Sequence, residues 1–148
     1  MSIWWSLHLR REAASVPLAR RLLLGTMETA GVDPDVSYEL SVALTEACAN
    51  AVEHGGGAGS REPGGAYRVT AYLDGETCRI EVADSGPGFP GAEAPAVPSD
   101  EAEHGRGMRL IEELADHVQF GNRSGRGGAV VSFDKILKWR DSSSLLMA

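Results

Sequence analysis

The sequence predicts an α+β chain, a two-layer sandwich in which a mixed, mostly antiparallel sheet is covered on one face by helices. Three observations carry this. Strand-like stretches come in pairs joined by turn residues. The helical patterns are grouped together rather than alternating with strands. The 148 residues, with 43% hydrophobic content, suffice for one sizeable core. The reading is one domain over residues 1–136, followed by a C-terminal tail over 137–148.

The elements follow in order. Over 3–10, Ile3, Trp5, Leu7 and Leu9 alternate with Trp4, Ser6, His8 and Arg10, which predicts an opening strand at a sheet edge. The Trp4–Trp5 pair fits either core or interface. A first helix is expected over 15–30, with Ser15 as N-cap, Pro17 in the first turn and Gly31 as terminator. Leu18, Leu22 and Met27 are expected inward, Arg20 and Arg21 outward. A second helix begins near Asp33 or Asp35, with Pro34 in its first turn, and runs to about His54. Its apolar stripe is Val36, Leu40, Leu44, Ala47 and Ala51. The glycine-rich run 55–60 cannot continue a helix.

Strands over 66–74 and 77–84 flank Asp74-Gly75, a hairpin signal. Residues 90–104 hold three prolines and four acids without periodicity and read as a mobile lid. Helical patterning returns over 106–116 (Met108, Leu110, Ile111, Leu114). Strands over 117–122 and 128–136 are joined by a glycine-rich turn, and the tail from Lys138 to Ala148 reads as frayed.

The net charge of −7 argues against a direct nucleic-acid partner, which needs basic surface to displace counterions. The basic residues are twelve Arg and two Lys, Lys135 and Lys138, so a phosphate clamp would use Arg or backbone amides. Cys48 and Cys78 lack metal-type spacing and read as buried free thiols of a reducing compartment. No apolar run approaches the roughly 20 residues of a membrane helix, and no signal segment is found. The expectation is a cytoplasmic protein without membrane contact.

The chain is organised around Leu44–His54. Glu46, Asn50 and His54 follow one another at four-residue spacing and drift as one stripe beside the apolar face. The small neighbours Ala43, Ala47 and Ala51 leave room, as in a pocket wall; a solvated helix edge is the alternative. His54 also fits packing or C-terminal capping. The strand over 77–84 ends in Asp84, followed by Gly86 and Gly88, and Gly105-Arg106-Gly107 opens a helix.

Those residues match what a nucleotide needs. Asp84 at a strand end is an acceptor for an adenine amino group, although an Asx turn before Pro-Gly is the other reading. Gly86 and Gly88 let the backbone approach a ring. A helix start at 105–107 offers unpaired N–H groups to phosphates, with Arg106 adding charge, or is a simple opening turn. Asn50 supplies a neutral oxygen to Mg²⁺. Glu46, one turn away, suits a base that takes the proton of an attacking hydroxyl or orients a water.

Glu46-x-x-x-Asn50, Asp84-x-Gly86-x-Gly88 and Gly105-x-Gly107 resemble the N, G1 and G2 boxes of the GHKL (Bergerat-fold) ATP-binding superfamily. Within it, the stretches 46–54, 82–89 and 105–111 most resemble the anti-sigma-factor serine/threonine kinases of bacterial partner-switching systems. The resemblance runs from the first helix to about Phe133. It implies the histidine-kinase-like ATPase fold, ATP with Mg²⁺, and homodimerisation. It also implies sequestration of a sigma factor and phosphorylation of a small STAS-type anti-sigma-factor antagonist. By position, Glu46 matches the catalytic base and Asn50 the Mg²⁺ ligand. Asp84, Gly86, Gly88, Gly105, Arg106, Gly107 and Met108 match the nucleotide contacts, and Arg20 the partner-binding face.

Two departures weaken γ-phosphate handling: Ala129 follows Gly127-Gly128 where the family often has a hydroxyl residue, and the lid carries acids without Lys or Arg. The alternatives are a nucleotide-responsive binding module without turnover, or a histidine-kinase-type module acting in trans.

Overall fold

The structure, a computed structural model, describes residues 2–54, 65–84, 108–122 and 128–140. Strands β1 (Ile3–Arg10), β2 (Ala66–Leu73), β3 (Thr77–Asp84), β4 (His117–Asn122) and β5 (Ala129–Ile136) form one sheet in the order β1-β2-β3-β5-β4. Every ladder is antiparallel. Helices α1 (Ser15–Ala30) and α2 (Pro34–His54) and a helix described over 108–114, α3, are the helices among the described residues. β1 lies at an edge as expected.

Strand alternation separates the two faces. Leu9, Tyr67, Val69, Leu73, Cys78, Ile80, Val82, Val131 and Phe133 are buried with the helices in one core. Trp5 belongs to that side, its Nε1 donating to Thr26 Oγ1 of α1 at 3.1 Å. The other face carries Trp4, its ring 6.2 Å from Tyr72, and the ion pairs Arg79–Glu81 and His117–Asp134. The tryptophan pair therefore splits between the two faces.

Helix α2 follows its sequence signals. Asp33 Oδ1 accepts the Asp35 N–H at 2.8 Å, capping the helix just before Pro34. All five stripe residues, Val36, Leu40, Leu44, Ala47 and Ala51, are buried. The β2–β3 hairpin closes on Asp74, whose Oδ1 accepts N–H groups from Glu76 and Thr77 at 2.7 and 2.8 Å.

Helix α1 corrects the expectation in two ways. Its buried stripe is Ser15, Ala19, Leu23 and Met27, while Leu18 and Leu22 are 54% and 39% exposed. Leucines at 18, 22, 23 and 24 support more than one helical phase; contact with α2 and the sheet selects the one with small residues at its N-terminal end. Ser15 is not the cap. Ala14 takes that place without a side-chain bond, and the Ser15 hydroxyl donates to Glu12 O at 2.7 Å while pairing with the Tyr67 hydroxyl at 2.6 Å. Gly31 ends the helix as expected, at φ 88°, with its N–H on Met27 O and Glu28 O.

The segment after β5 is not frayed at its start. Leu137 is buried, Lys138 O accepts the Asp33 N–H at 2.7 Å, and the Arg140 N–H reaches Gly31 O at 2.8 Å. Trp139 Nε1 donates to Gly75 O at 3.2 Å. This stretch satisfies polar groups of the α1–α2 connection that the helices leave unpaired. The expected loop 55–60 and lid 90–104, the first residues of the 106–116 helix and the tail beyond Arg140 lie outside the described residues.

Candidate functional site

Two anchors fix how α2 lies on the sheet. Near its start, Glu39 meets Lys135 of β5 at 3.4 Å, and Lys135 Nζ also donates to Leu114 O at the end of α3 at 2.7 Å. Near its end, the Arg11 guanidinium donates twice to Val52 O, at 3.2 and 3.0 Å, while the Arg11 N–H holds Gly65 O. Gly65 precedes β2, whose Tyr67 is the register partner of Asp84. The C-terminal half of α2 thus lies at the Asp84 end of the sheet. The rises agree: Glu39 to Asn50 covers about 16 Å of helix, and Lys135 back to Ala129 about 20 Å of strand.

Glu39, Glu46 and Asn50 share one border of α2 by helical periodicity. The Glu39–Lys135–Leu114 link turns that border toward the gap between α2 and α3, above β5. Glu46 and Asn50 are half-buried there, and His54 is exposed, with Nε2 3.6 Å from Glu53. Ala43, Ala47 and Ala51 do not open room of their own. Each is about 1% exposed, and their small size instead brings α2 close onto the sheet.

Asp84 is the buried acid of this end, 5% exposed. It shares the helix-facing side of β3 with Cys78, Ile80 and Val82. Its Oδ1 accepts the backbone N–H of Ala129, the first residue of β5, at 3.1 Å. Gly128, at φ 111°, turns the chain into that position. The fold therefore brings Glu46, Asn50 and Asp84 to one end of the sandwich. Met108 packs against the core from α3, and Arg20 is half-buried on α1. Gly86, Gly88, Gly105, Arg106 and Gly107 lie outside the described residues.

The opposite border of α2 holds a network that sequence reasoning missed. Cys48 hydrogen-bonds Tyr67, which in turn bonds Ser15. Burial pushes the Cys48 thiol and the Tyr67 hydroxyl each up to about 12, so both stay protonated. The available signal was a tyrosine at a core-facing strand position, where its hydroxyl requires a partner. Arg11 and Lys135, which set the lie of α2, carried no local signal.

Among the described residues no group of three or more His, Cys, Asp or Glu is placed to hold a metal. Magnesium that keeps its waters and binds phosphates needs only one or two protein oxygens, and a half-buried Asn50 amide meets that requirement.

Comparison with known proteins agrees with this architecture. The family described as histidine kinase-like ATPase domain matches residues 9–135. Serine-protein kinase RsbW of Bacillus subtilis (strain 168) is 30% identical over 119 residues, covering 74% of this chain and 72% of that protein. Among solved structures, the RsbU and RsbW domains of Rv1364c from Mycobacterium tuberculosis match with a TM-score of 0.65 at 21% identity over 92% of this chain. This chain spans 34% of that one. The SiaB–SiaC complex from Pseudomonas aeruginosa matches with a TM-score of 0.56 at 13% identity, over 89% of this chain and 88% of that one. At those identities the structural likenesses speak to the fold alone.

Proposed function

We propose that this chain, which belongs to the histidine kinase-like ATPase domain family, is an ATP-dependent protein serine/threonine kinase and anti-sigma factor. In this reading it sequesters a sigma factor and phosphorylates a small STAS-type antagonist. The likeness to the serine-protein kinase of Bacillus subtilis supports the reaction class. The observation that carries the nucleotide site is the buried Asp84 carboxylate, tied to the Ala129 N–H at the end of the sheet where α2 brings Glu46 and Asn50.

Bound ATP with Mg²⁺ supplies the γ-phosphoryl group. Asp84, oriented by the Ala129 amide, accepts from the adenine amino group in a site shielded from water. Asn50 offers its side-chain oxygen to Mg²⁺. Glu46 takes the proton of the attacking serine or threonine hydroxyl. Gly86, Gly88, Gly105, Arg106, Gly107 and Met108 complete the nucleotide contacts, and residues 90–104 form the lid. Arg20 on α1 contributes to the partner face, the working unit is a homodimer, and the site of action is the cytoplasm. Residues 1–136 act as one ATP-binding domain.

A second reading, nucleotide-dependent partner binding without transfer, is favoured by Ala129. At that position only a backbone N–H faces Asp84, and no side-chain hydroxyl is available.

Calorimetry with ATP, with and without Mg²⁺, on wild type and Asp84→Asn tests the pocket. Magnesium-dependent binding lost in the variant is expected. Absence of binding by folded wild type at millimolar ATP sinks the nucleotide reading. Phosphotransfer to a STAS-type antagonist then separates the two functions: Glu46→Gln abolishes transfer and keeps ATP binding if the chain is a kinase. An acid-labile phosphoryl product indicates a histidine acceptor instead.

A further inference from the structure

Helix α2 is gripped unevenly along its length. Its first half buries the large apolar side chains Val36, Leu40 and Leu44. Beyond Leu44 the buried side chains are Ala47, Cys48 and Ala51, with Val52 half-buried beside them. Such small side chains bury little apolar area, so packing alone holds this end of the helix loosely. Yet this is the half that carries Glu46 and Asn50.

A polar tie holds it instead. The last four carbonyls of a helix have no amide within it to pair with, and Val52 O is one of them. The Arg11 guanidinium takes that oxygen from a position 41 residues earlier, with Nε at 3.2 Å and Nη2 at 3.0 Å. A cation at a helix C-terminus also meets the favourable end of the dipole. Arg11 is itself fixed. It is half-buried directly after β1, and its backbone N–H donates to Gly65 O, just before β2, at 2.7 Å. On the opposite border of α2 the tie is the Cys48–Tyr67 hydrogen bond, and a thiol is a weak hydrogen-bonding partner.

The hold is directional. Val52 stands two residues past Asn50, within one turn of helix. A planar guanidinium that donates twice to one oxygen fixes it in angle as well as in distance. The turn that carries Asn50 cannot rock away from the sheet without breaking both bonds. Magnesium demands near-ideal octahedral geometry, and the groups behind a metal's ligands strongly affect its affinity.

We propose that Arg11 is a positioning residue for the Mg²⁺–nucleotide site: by holding the Val52 carbonyl it fixes the last turns of α2, and with them the direction from which Asn50 presents its side-chain oxygen. This rests on the reading of Asn50 as the Mg²⁺ ligand.

The test uses the full chain and Arg11→Met, which keeps the aliphatic stem and removes the donors. Amide hydrogen exchange is expected to quicken for residues 50–54 in the variant, while α1 and β3 keep their protection. In calorimetry the variant is expected to bind ATP without Mg²⁺ and to lose the strengthening that Mg²⁺ gives the wild type. Removing a positive charge by itself favours a nearby cation, so this loss has the opposite sign to a simple charge effect. Arg11→Lys keeps the charge but not the fork, and is expected to show both effects in smaller measure. Unchanged exchange at 50–54, protection lost evenly over the whole chain, or a wild-type Mg²⁺ effect in Arg11→Met each overturns the proposal. Wild type that binds ATP with no Mg²⁺ effect overturns it through Asn50. Wild type that binds no ATP removes the nucleotide reading and this proposal with it.

Discussion

The Asp84 carboxylate accepts the backbone N–H of Ala129 at 3.1 Å, joining the end of β3 to the beginning of β5. Both residues lie on the helix-facing side of the sheet. The bond stands at the mouth of the β4–β5 hairpin and beside the candidate nucleotide site, so it closes this corner of the fold as well as orienting the proposed adenine contact. Asp84→Ala removes the acceptor and leaves the Ala129 N–H without it, a loss expected to be about 1–3 kcal/mol. Gly128→Ala forces a side chain into positive φ next door and costs about 1–2 kcal/mol. Urea unfolding of both variants checks these values; wild-type midpoints would contradict the role given to this corner.

The phase of α1 makes a sharp contrast between adjacent leucines. Leu23 is fully buried, so Leu23→Ala costs about 2–5 kcal/mol through lost contacts and a cavity. Leu22→Ala, on the exposed side, costs under about 1 kcal/mol. Thermal or urea unfolding of the two variants decides it, and equal losses would mean that α1 is rotated from its described position.

The two cysteines are expected to be silent in the native protein. Burial pushes the Cys48 and Cys78 thiols each up to about 12, leaving almost no thiolate at pH 8. An aromatic disulfide reagent should therefore react with both only as fast as the chain opens, and rapidly in denaturant. Prompt labelling of a native thiol would show that the α2–β2 packing around Tyr67 is looser than described.

His117 gives a pH-dependent signal on the open face of the sheet. Its Nδ1 lies 2.8 Å from Asp134 Oδ1, and the hydrogen bond and charge of Asp134 raise its pKa. A histidine whose folded pKa exceeds its unfolded value adds stability that is full below the unfolded pKa and fades as pH rises through the folded one. In Asp134→Asn the His117 pKa should fall. A ring-proton NMR titration reads this directly, and an unchanged pKa in the variant would remove Asp134 as its cause.

Much of the fold was legible in the sequence because the signals were local. Asp33 before Pro34, the Asp74-Gly75 turn, Gly31 after α1 and the four-residue spacing on α2 act through neighbours a few residues away. The same holds for the candidate site as a set of residue types: Glu46 and Asn50 share a helix border, and Asp84 ends a strand, in any packing that keeps those elements.

Tertiary structure alone decided the rest. Which leucines of α1 are buried depends on the surfaces offered by α2 and the sheet, since periodicity allowed more than one phase. Ser15 gave up capping for a tyrosine 52 residues away, and Asp84 found its donor 45 residues on, because the order β1-β2-β3-β5-β4 brings those positions side by side. Lys135 and Arg11, which lay α2 along the sheet, and Arg140, which ties the segment after β5 to the end of α1, likewise act across pairings distant in sequence. A sequence specifies such contacts only through the complete fold, since each depends on where every intervening element has packed.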